Sequence, residues 1–488
     1  MEKTTLKKSL GLLDATFIVA GSMIGSGIFI VSSDMAKDLG SSGWVLFTWI
    51  LTGVITLFGA LSYGELAAMF PQAGGQFVYI QKAFGRLTSF LYGWTVFTVI
   101  QTGVIAAVGV AFGRFTGVFF PDLFQTVFSV GDISVTYVNM IGVSTILFLT
   151  FLNAKGIQYG KIILLLFTGS KLIALLILIV IGIIVSIKSG FFGANFTDTW
   201  EASKTVVNAE TGALSITSLT TWGLVIALST TIINSLFSSD AWNNVTFIAG
   251  EIRNPEKNLP RSLFLGTFIV TIFYVLANVA YLGLLPLKGT PVDASVALST
   301  ESVAQAGIQF ASESRVGTSA AYMMFGDIAQ YLMAALIMIS TFGCNNGLIM
   351  SGSRLFYAMS NENLFFKKAG NLNRNGVPGF ALWIQCAWAS ILCLSGSYQI
   401  LIKFATFGSM LFYIVTITAL FVLRKKMPDI PRPYKAFGYP IIPLLYLLFA
   451  VVICVGLTVF TFQDTVWSIV LIWMGLPVYY LFFKGKEA

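Results

Sequence analysis

The feature that most constrains this 488-residue chain is a series of apolar stretches, each long enough to cross a lipid bilayer. A membrane-spanning helix needs about 20 mostly apolar residues. Twelve stretches meet that need: 12–37, 43–70, 87–112, 134–153, 158–187, 221–250, 262–285, 327–358, 379–395, 398–423, 439–462 and 465–483. None shows the ten-residue alternation of an outer-membrane barrel. Charged residues make up only 10% of the chain, against roughly 25% in a soluble protein. The expectation is an all-α, multi-pass integral membrane protein with twelve transmembrane helices, its main partner surface being the lipid bilayer of a cell membrane.

The basic residues sort by loop. Placing the N-terminus inside gives the inner segments Lys3, Lys7, Lys8, Lys82, Arg86, Lys155, Lys161, Arg253, Lys257, Arg261, Lys367, Lys368, Arg374, the cluster Arg424 to Lys435, and Lys484 and Lys486. The outer segments hold only Lys37, Arg114, Lys188, Lys204, Lys288 and Arg315. Basic loops face the cytoplasm, so both termini are expected there. The net charge of +8 then reports topology. A nucleic-acid partner is not expected, because no basic face with interleaved aromatics stands outside the membrane.

The chain has no histidine and four cysteines, none in a C-x-x-C pair. That removes Ser-His-Asp chemistry and the usual metal ligands. Neither an enzyme nor a metal or other cofactor is expected.

Two stretches are poor helices at mid-membrane. Span 1 contains GSMIGSGIF at 21–29, and span 6 contains SLFSSDAWNN at 235–244. Glycine and serine runs break helices, and unwound backbone in lipid is tolerated only where protein or a cavity satisfies it. Interruptions in the first and sixth spans suggest two five-helix halves of inverted orientation, with a midplane site between the breaks. The divisions are then 1–187 for the first repeat, 188–220 for an outer loop, and 221–423 for the second repeat with its outer loop 286–326. A basic, Pro-rich linker, 424–438, leads to a two-helix hairpin, 439–488.

Freed N–H groups of Ile24, Gly25, Ser26 and Gly27 at the positive end of a half-helix suit a carboxylate. Freed carbonyls of Phe237, Ser238 and Ser239 suit an ammonium group. A site offering both fits an L-amino acid. The alternative is that the glycines serve only close helix packing. Lys171 lies near the middle of span 5, too deep to snorkel, so it is expected to be paired or functional. Asp240, just past the second break, either meets a cationic side chain or caps the following half-helix. Thr341 and Cys344 in span 8 are candidates for the pocket wall, against plain packing. Lys403, near the outer end of span 10, is expected to snorkel. Asn195-Phe196-Thr197 forms a sequon in an outer loop.

The motifs GSMIGSGIF (21–29), GALSYGELAAMFPQAGGQFVYIQKAFG (59–85), SDAWNNVTFIAGEIRNPEKNLPRSL (239–263), NVAY (278–281) and FGCNNGLIMSGSRLFYAMS (342–360) run in family order over ten spans. On these residues the chain resembles the amino acid–polyamine–organocation permeases, closest to the L-type amino acid transporter branch. The resemblance implies a LeuT-type 5+5 inverted repeat and secondary active transport of amino acids by alternating access, as an exchanger or proton-coupled carrier. It implies that Lys171 stands where sodium-coupled relatives hold an ion, which favours sodium-independent transport with Lys171 bonded to broken span 1. It implies that Phe237 is an outer gate, and that Glu65, Glu251, Arg253 and Arg354 form ion pairs on the inner side. Light chains of this family carry a cysteine between spans 3 and 4. The loop 113–134 has none, so no disulfide-linked heavy chain is expected. A cationic amino acid or polyamine permease is the alternative transporter, and a nutrient sensor or channel the alternative of another class.

Overall fold

A computed structural model describes residues 6–130, 133–208, 213–293, 298–395, 398–460 and 462–485. Among these, ten helices are long and apolar enough to cross a membrane, the first Ser42–Met69 and the last Thr465–Phe482. Two of the twelve expected stretches form shorter helices. Stretch 1 divides into Leu12–Met23 and Ser32–Leu39, joined through a 3-10 turn at Gly27–Phe29. Stretch 9 is Gly379–Leu394. Length and composition alone thus support ten spans. The side chain of Lys403 lies outside the described residues.

Local chemistry sets several helix limits. The Ser41 hydroxyl accepts from the amide of Trp44 at 3.3 Å and starts Ser42–Met69, satisfying one of the orphan donors of a first turn. Pro255 opens Pro255–Leu284, where a missing N–H costs nothing. Arg424, Lys425 and Lys426 end Tyr398–Lys426 and complement the negative end of its dipole.

Span 5, Ile157–Ser189, shows how sequence places one charge inward. Its buried residues are Gly160, Leu164, Thr168, Lys171, Leu175, Leu178, Ile179, Gly182 and Ser186, which recur every three to four residues but for the adjacent Leu178 and Ile179. That spacing makes one seam on a 3.6-residue helix. Leu166, Ile173 and Ile184 on other faces are about 60% exposed, as side chains that face lipid are. Lys171 therefore points into the bundle because of its register on this seam.

Helix association in a membrane depends on close packing and interhelical hydrogen bonds. Span 7, Pro255–Leu284, packs against Leu12–Met23 and spans 2 and 5. At Gly266 an added Cβ would lie 2.5 Å from the Cβ of Val19, so only glycine permits this approach. Thr52 and Ser235 share a 2.6 Å hydrogen bond between spans 2 and 6. Ser32 donates to Asn278 at 2.6 Å, and Asn153 to Asn346 at 2.8 Å. Each such bond contributes roughly 0.6 kcal/mol, at most about 1.7.

The expected all-α chain gains two small β-hairpins. One pairs Thr126–Val130 with Ile133–Thr136, and the other pairs Ser203–Val207 with Leu214–Ser218. Both lie in connections outside the long apolar helices, where polar residues alternate too briefly to read as strands. The 286–326 segment carries helices Thr300–Ala306 and Val316–Phe325. Its Gln309 donates to the Ala36 carbonyl at 3.0 Å and to Thr205 at 3.1 Å, and Ser33 donates to the Gln309 carbonyl. This segment therefore lies on helix Ser32–Leu39. Asn195 of the sequon is committed to structure. Its Nδ2 donates to the carbonyls of Leu282 and Leu285, each at 2.7 Å, and its Oδ1 accepts from the Leu287 amide at 2.7 Å. A glycan on that nitrogen is incompatible with these bonds.

At the opposite end, the chain near its N-terminus pairs with the segment after span 6. Leu10 bridges Ile252 in parallel, through Leu10 N–H to the Glu251 carbonyl at 3.0 Å and Arg253 N–H to the Leu10 carbonyl at 2.8 Å. The charged residues expected to pair do so selectively. Glu251 binds Arg354 at 3.0 Å with both side chains buried. Glu65 binds Arg424 at 2.5 Å and Arg432 at 3.3 Å, and also accepts from the Ala436 amide at 2.7 Å. Arg253, by contrast, is exposed.

Candidate functional site

The two broken helices meet. The first half of span 1 ends where Ile24 N–H bonds the Ala20 carbonyl at 3.0 Å. Ile24 is therefore not one of the freed donors, and the expectation is corrected on that point. The amides of Gly25, Ser26 and Gly27 reach no protein acceptor among the described residues. In span 6, helix Thr221–Ser238 closes with Ser239 N–H on the carbonyls of Ser235 and Leu236, both at 3.0 Å. The chain then passes through Ala241 at φ 64° before a short helix, Asn244–Phe247. A left-handed alanine is uncommon and marks a sharp redirection.

The approach at Gly27 is very close. A Cβ there would lie 2.2 Å from Ser238 Oγ and 3.2 Å from Ser238 Cα. Glycine at 27 is what lets the two breaks share one space. Tyr274 of span 7 ties them further. Its hydroxyl lies 3.1 Å from the Met23 carbonyl and 3.0 Å from the Ser238 carbonyl. One hydroxyl hydrogen serves one carbonyl at a time, so Tyr274 bridges the ends of both first halves. Sequence reasoning missed this residue, whose only signal is a polar tip within an apolar run.

Lys171 reaches the break as expected. Its Nζ donates to the carbonyls of Gly21 and Ile24, each at 2.6 Å, and the residue is 1% exposed. Ser340 donates to the Ile24 carbonyl at 3.1 Å, and Cys344 Sγ to the Ser22 carbonyl at 3.2 Å. The carbonyls freed by unwinding thus receive donors from spans 5 and 8, as buried backbone acceptors require.

A cavity lies between the breaks. Gly25, Ser26 and Gly27 line it from span 1, Phe237, Ser238 and Asp240 from span 6, and Cys344 from span 8. Lys171, Ile24 and Ser239 stand behind that lining. Thr341 also stands outside it. Its hydroxyl bonds the Ile337 carbonyl of its own helix at 2.8 Å, so of the two span 8 candidates only Cys344 reaches the cavity. Span 3 contributes Val96, Ile100 and Gln101 at one turn of π-helix, Val96–Ile100. Such turns are frequent at functional sites.

Asp240 is not the cap of the following half-helix. That place belongs to Asn243, which makes no side-chain cap bond. Asp240 Oδ1 instead accepts from the Tyr413 hydroxyl at 2.5 Å. Tyr413 also lies 3.2 Å from Asn243 Oδ1. Asn243 Nδ2 donates to Gln76 Oε1 at 2.9 Å, Tyr92 donates to the same oxygen at 3.1 Å, and Gln76 donates to the Phe412 carbonyl at 3.0 Å. This connected wall joins spans 3, 6 and 10 to the short helix Gln76–Phe84.

The arrangement is one cavity with free backbone donors on one side, and carbonyls with a carboxylate on the other. Comparison with known proteins identifies relatives over the whole chain. The chain is 30% identical to the serine/threonine exchanger SteT of Bacillus subtilis, over 100% of this chain and 99% of that one. It is 30% identical to the human large neutral amino acids transporter small subunit 2, covering 98% of this chain and 80% of the relative. It is 27% identical to mouse b(0,+)-type amino acid transporter 1, covering 100% and 90%. The model of the family described as amino acid permease matches residues 10–478, and the chain belongs to that family, within the amino acid–polyamine–organocation superfamily.

Proposed function

We propose that this chain is a secondary active transporter of amino acids, working by alternating access and without sodium. The observation that carries the proposal is the meeting of two interrupted helices at one cavity, with unpaired amides on one face and carbonyls on the other. The substrate carboxylate binds the amides of Gly25, Ser26 and Gly27, where a half-helix begins. The ammonium group binds the carbonyls of Phe237 and Ser238, the two of the expected three whose residues line the cavity; Ser239 stands behind them. The Ser238 carbonyl keeps a lone pair beside its bond from Tyr274. Phe237, half-buried at the cavity wall, acts as the outer gate. The Lys171 ammonium supplies the fixed positive charge that makes a sodium ion unnecessary. The fold is a 5+5 inverted repeat followed by two further helices, in the cell membrane with both termini cytoplasmic.

Exchange is favoured over proton coupling by the named activity of the SteT relative. Glu65 is a poor proton relay, because two arginines and one amide hold its carboxylate. Any proton-coupled mode must use Lys171 or Asp240. A second reading, a carrier of cationic amino acids, rests on the Asp240 carboxylate at the cavity wall. Asp240→Asn separates the two: selective loss of arginine uptake relative to alanine supports the cationic reading, and equal loss of both removes it.

The deciding assay uses the purified protein in liposomes. Unlabelled amino acids are loaded one at a time, and labelled uptake is measured with and without a pH gradient. Uptake that needs internal substrate and ignores the gradient is exchange. Uptake driven by an acidic exterior is symport. Absence of transport for every amino acid tested refutes the proposal.

A further inference from the structure

Nearly every polar side chain around the cavity is already committed. Asn243, Gln76, Tyr92, Tyr413 and Asp240 bond one another. Asn244 is an exception. It is 2% exposed and lines the cavity, yet its Nδ2 meets no acceptor. No described hydrogen bond engages its Oδ1 either. Ser22, at the end of helix Leu12–Met23, repeats the pattern, with a buried, cavity-lining Oγ that has no partner. Buried polar groups are normally satisfied, so an unpaired one calls for a specific reason. Other buried polar atoms are also unpaired, but these two, from two different broken helices, share one cavity in which a ligand completes them.

Asn244 also stands at a telling place. It is the first residue of the short helix Asn244–Phe247, just beyond the break whose carbonyls would take the substrate's ammonium group. A cavity-lining group there stands beside a substrate held at that break.

We propose that Asn244 reads the substrate side chain and selects short side chains bearing a hydroxyl or carboxamide over apolar ones of equal size. This rests on the amino acid transport reading above and narrows it to a substrate class. A carboxamide offers both a donor and an acceptor, so either kind of polar group completes it. An apolar side chain leaves it unpaired. Sites built to hydrogen-bond a hydroxyl reject the analogue lacking it far more strongly than apolar pockets separate isosteres.

Threonine and valine have the same shape and differ by one hydroxyl, so their ratio is the readout. The full-length protein in liposomes takes up labelled alanine in competition with each. The wild type is expected to be inhibited by threonine at least about tenfold more potently than by valine. In Asn244→Leu that ratio is expected to collapse to about one. A ratio taken within one preparation does not depend on how much protein is active. For a variant too weak to transport, ligand-induced thermal stabilisation of detergent-purified Asn244→Ala gives the same ratio without flux. A threonine advantage that persists in Asn244→Leu or Asn244→Ala overturns the proposal. So does a wild type that transports alanine but responds equally to threonine and valine. Failure of the wild type to transport any amino acid sinks the transport reading instead.

Discussion

Replacing Gly27 by alanine tests whether the two breaks work as one site. The added Cβ would lie 2.8 Å from Ser238 Cβ and 2.2 Å from its Oγ. The hydroxyl can rotate away, at the loss of its 3.0 Å bond to the Asn234 carbonyl. The Ser238 Cβ cannot, because the helix backbone fixes it. Carbon atoms settle at about 3.5–4.0 Å, so the two segments must separate by roughly 0.7 Å or more. Overpacking of this kind costs about 1–3 kcal/mol. At about 1.4 kcal/mol per tenfold, that weakens the closed, substrate-binding arrangement by roughly 5- to 140-fold. The assay is the half-saturating concentration of a labelled amino acid in proteoliposomes, on protein shown to be monodisperse. Gly27→Ala should raise it within that range. Adding Ser238→Gly, which removes both clashing atoms, should recover most of the loss relative to Ser238→Gly alone. Wild-type kinetics in well-folded Gly27→Ala would refute the close approach, and an unrescued loss would refute its assignment to Ser238.

Lys171→Met removes two charge-assisted bonds worth about 1.5–3 kcal/mol each, so uptake should fall at least about a hundredfold; near-normal uptake by well-expressed protein rules out the role given to Lys171. Glu251→Gln leaves Arg354 buried without its counter-charge, a loss of about 3–5 kcal/mol, and should lower the thermal unfolding midpoint clearly. Asp34→Asn, which breaks the half-exposed pair with Lys37, should leave that midpoint almost unchanged. Asn195→Ala removes three hydrogen bonds that join the 188–220 segment to the end of span 7. It should destabilise the protein by about 1–3 kcal/mol, read as a lowered midpoint, and an unshifted midpoint would show that the clasp is redundant.

What the sequence reveals here is what a local signal can encode. Long apolar runs announce spans, because lipid exposure is a property of each helix by itself. Runs such as GSMIGSGIF announce breaks, because glycine and serine weaken a helix wherever they stand. Lys171 is legible for a related reason: a charge at that depth must have a partner, and unwound carbonyls are the available ones. The partners of Glu65 are not legible. Arg424, in the last turn of span 10, and Arg432, in the linker after it, lie more than 350 residues away, and no periodicity joins them to Glu65. The same holds for the Tyr413 bond to Asp240, whose absence from the sequence reading left the capping alternative open. Ile24 departs from expectation because the first helix of span 1 keeps one more hydrogen bond than its glycines suggest, and helix ends vary by a residue or two. The small hairpins escaped because strands of four or five residues carry too little alternation to count.

The backbone bridge between Leu10 and Ile252 carries a mechanical consequence. It fastens the lower ends of the two interrupted helices to each other through main-chain bonds, which side-chain substitution does not remove. Two levers pinned together share a single degree of freedom. Neither lower segment can swing away while the other stays, so in the proposed carrier any opening on this side moves both in the same stroke.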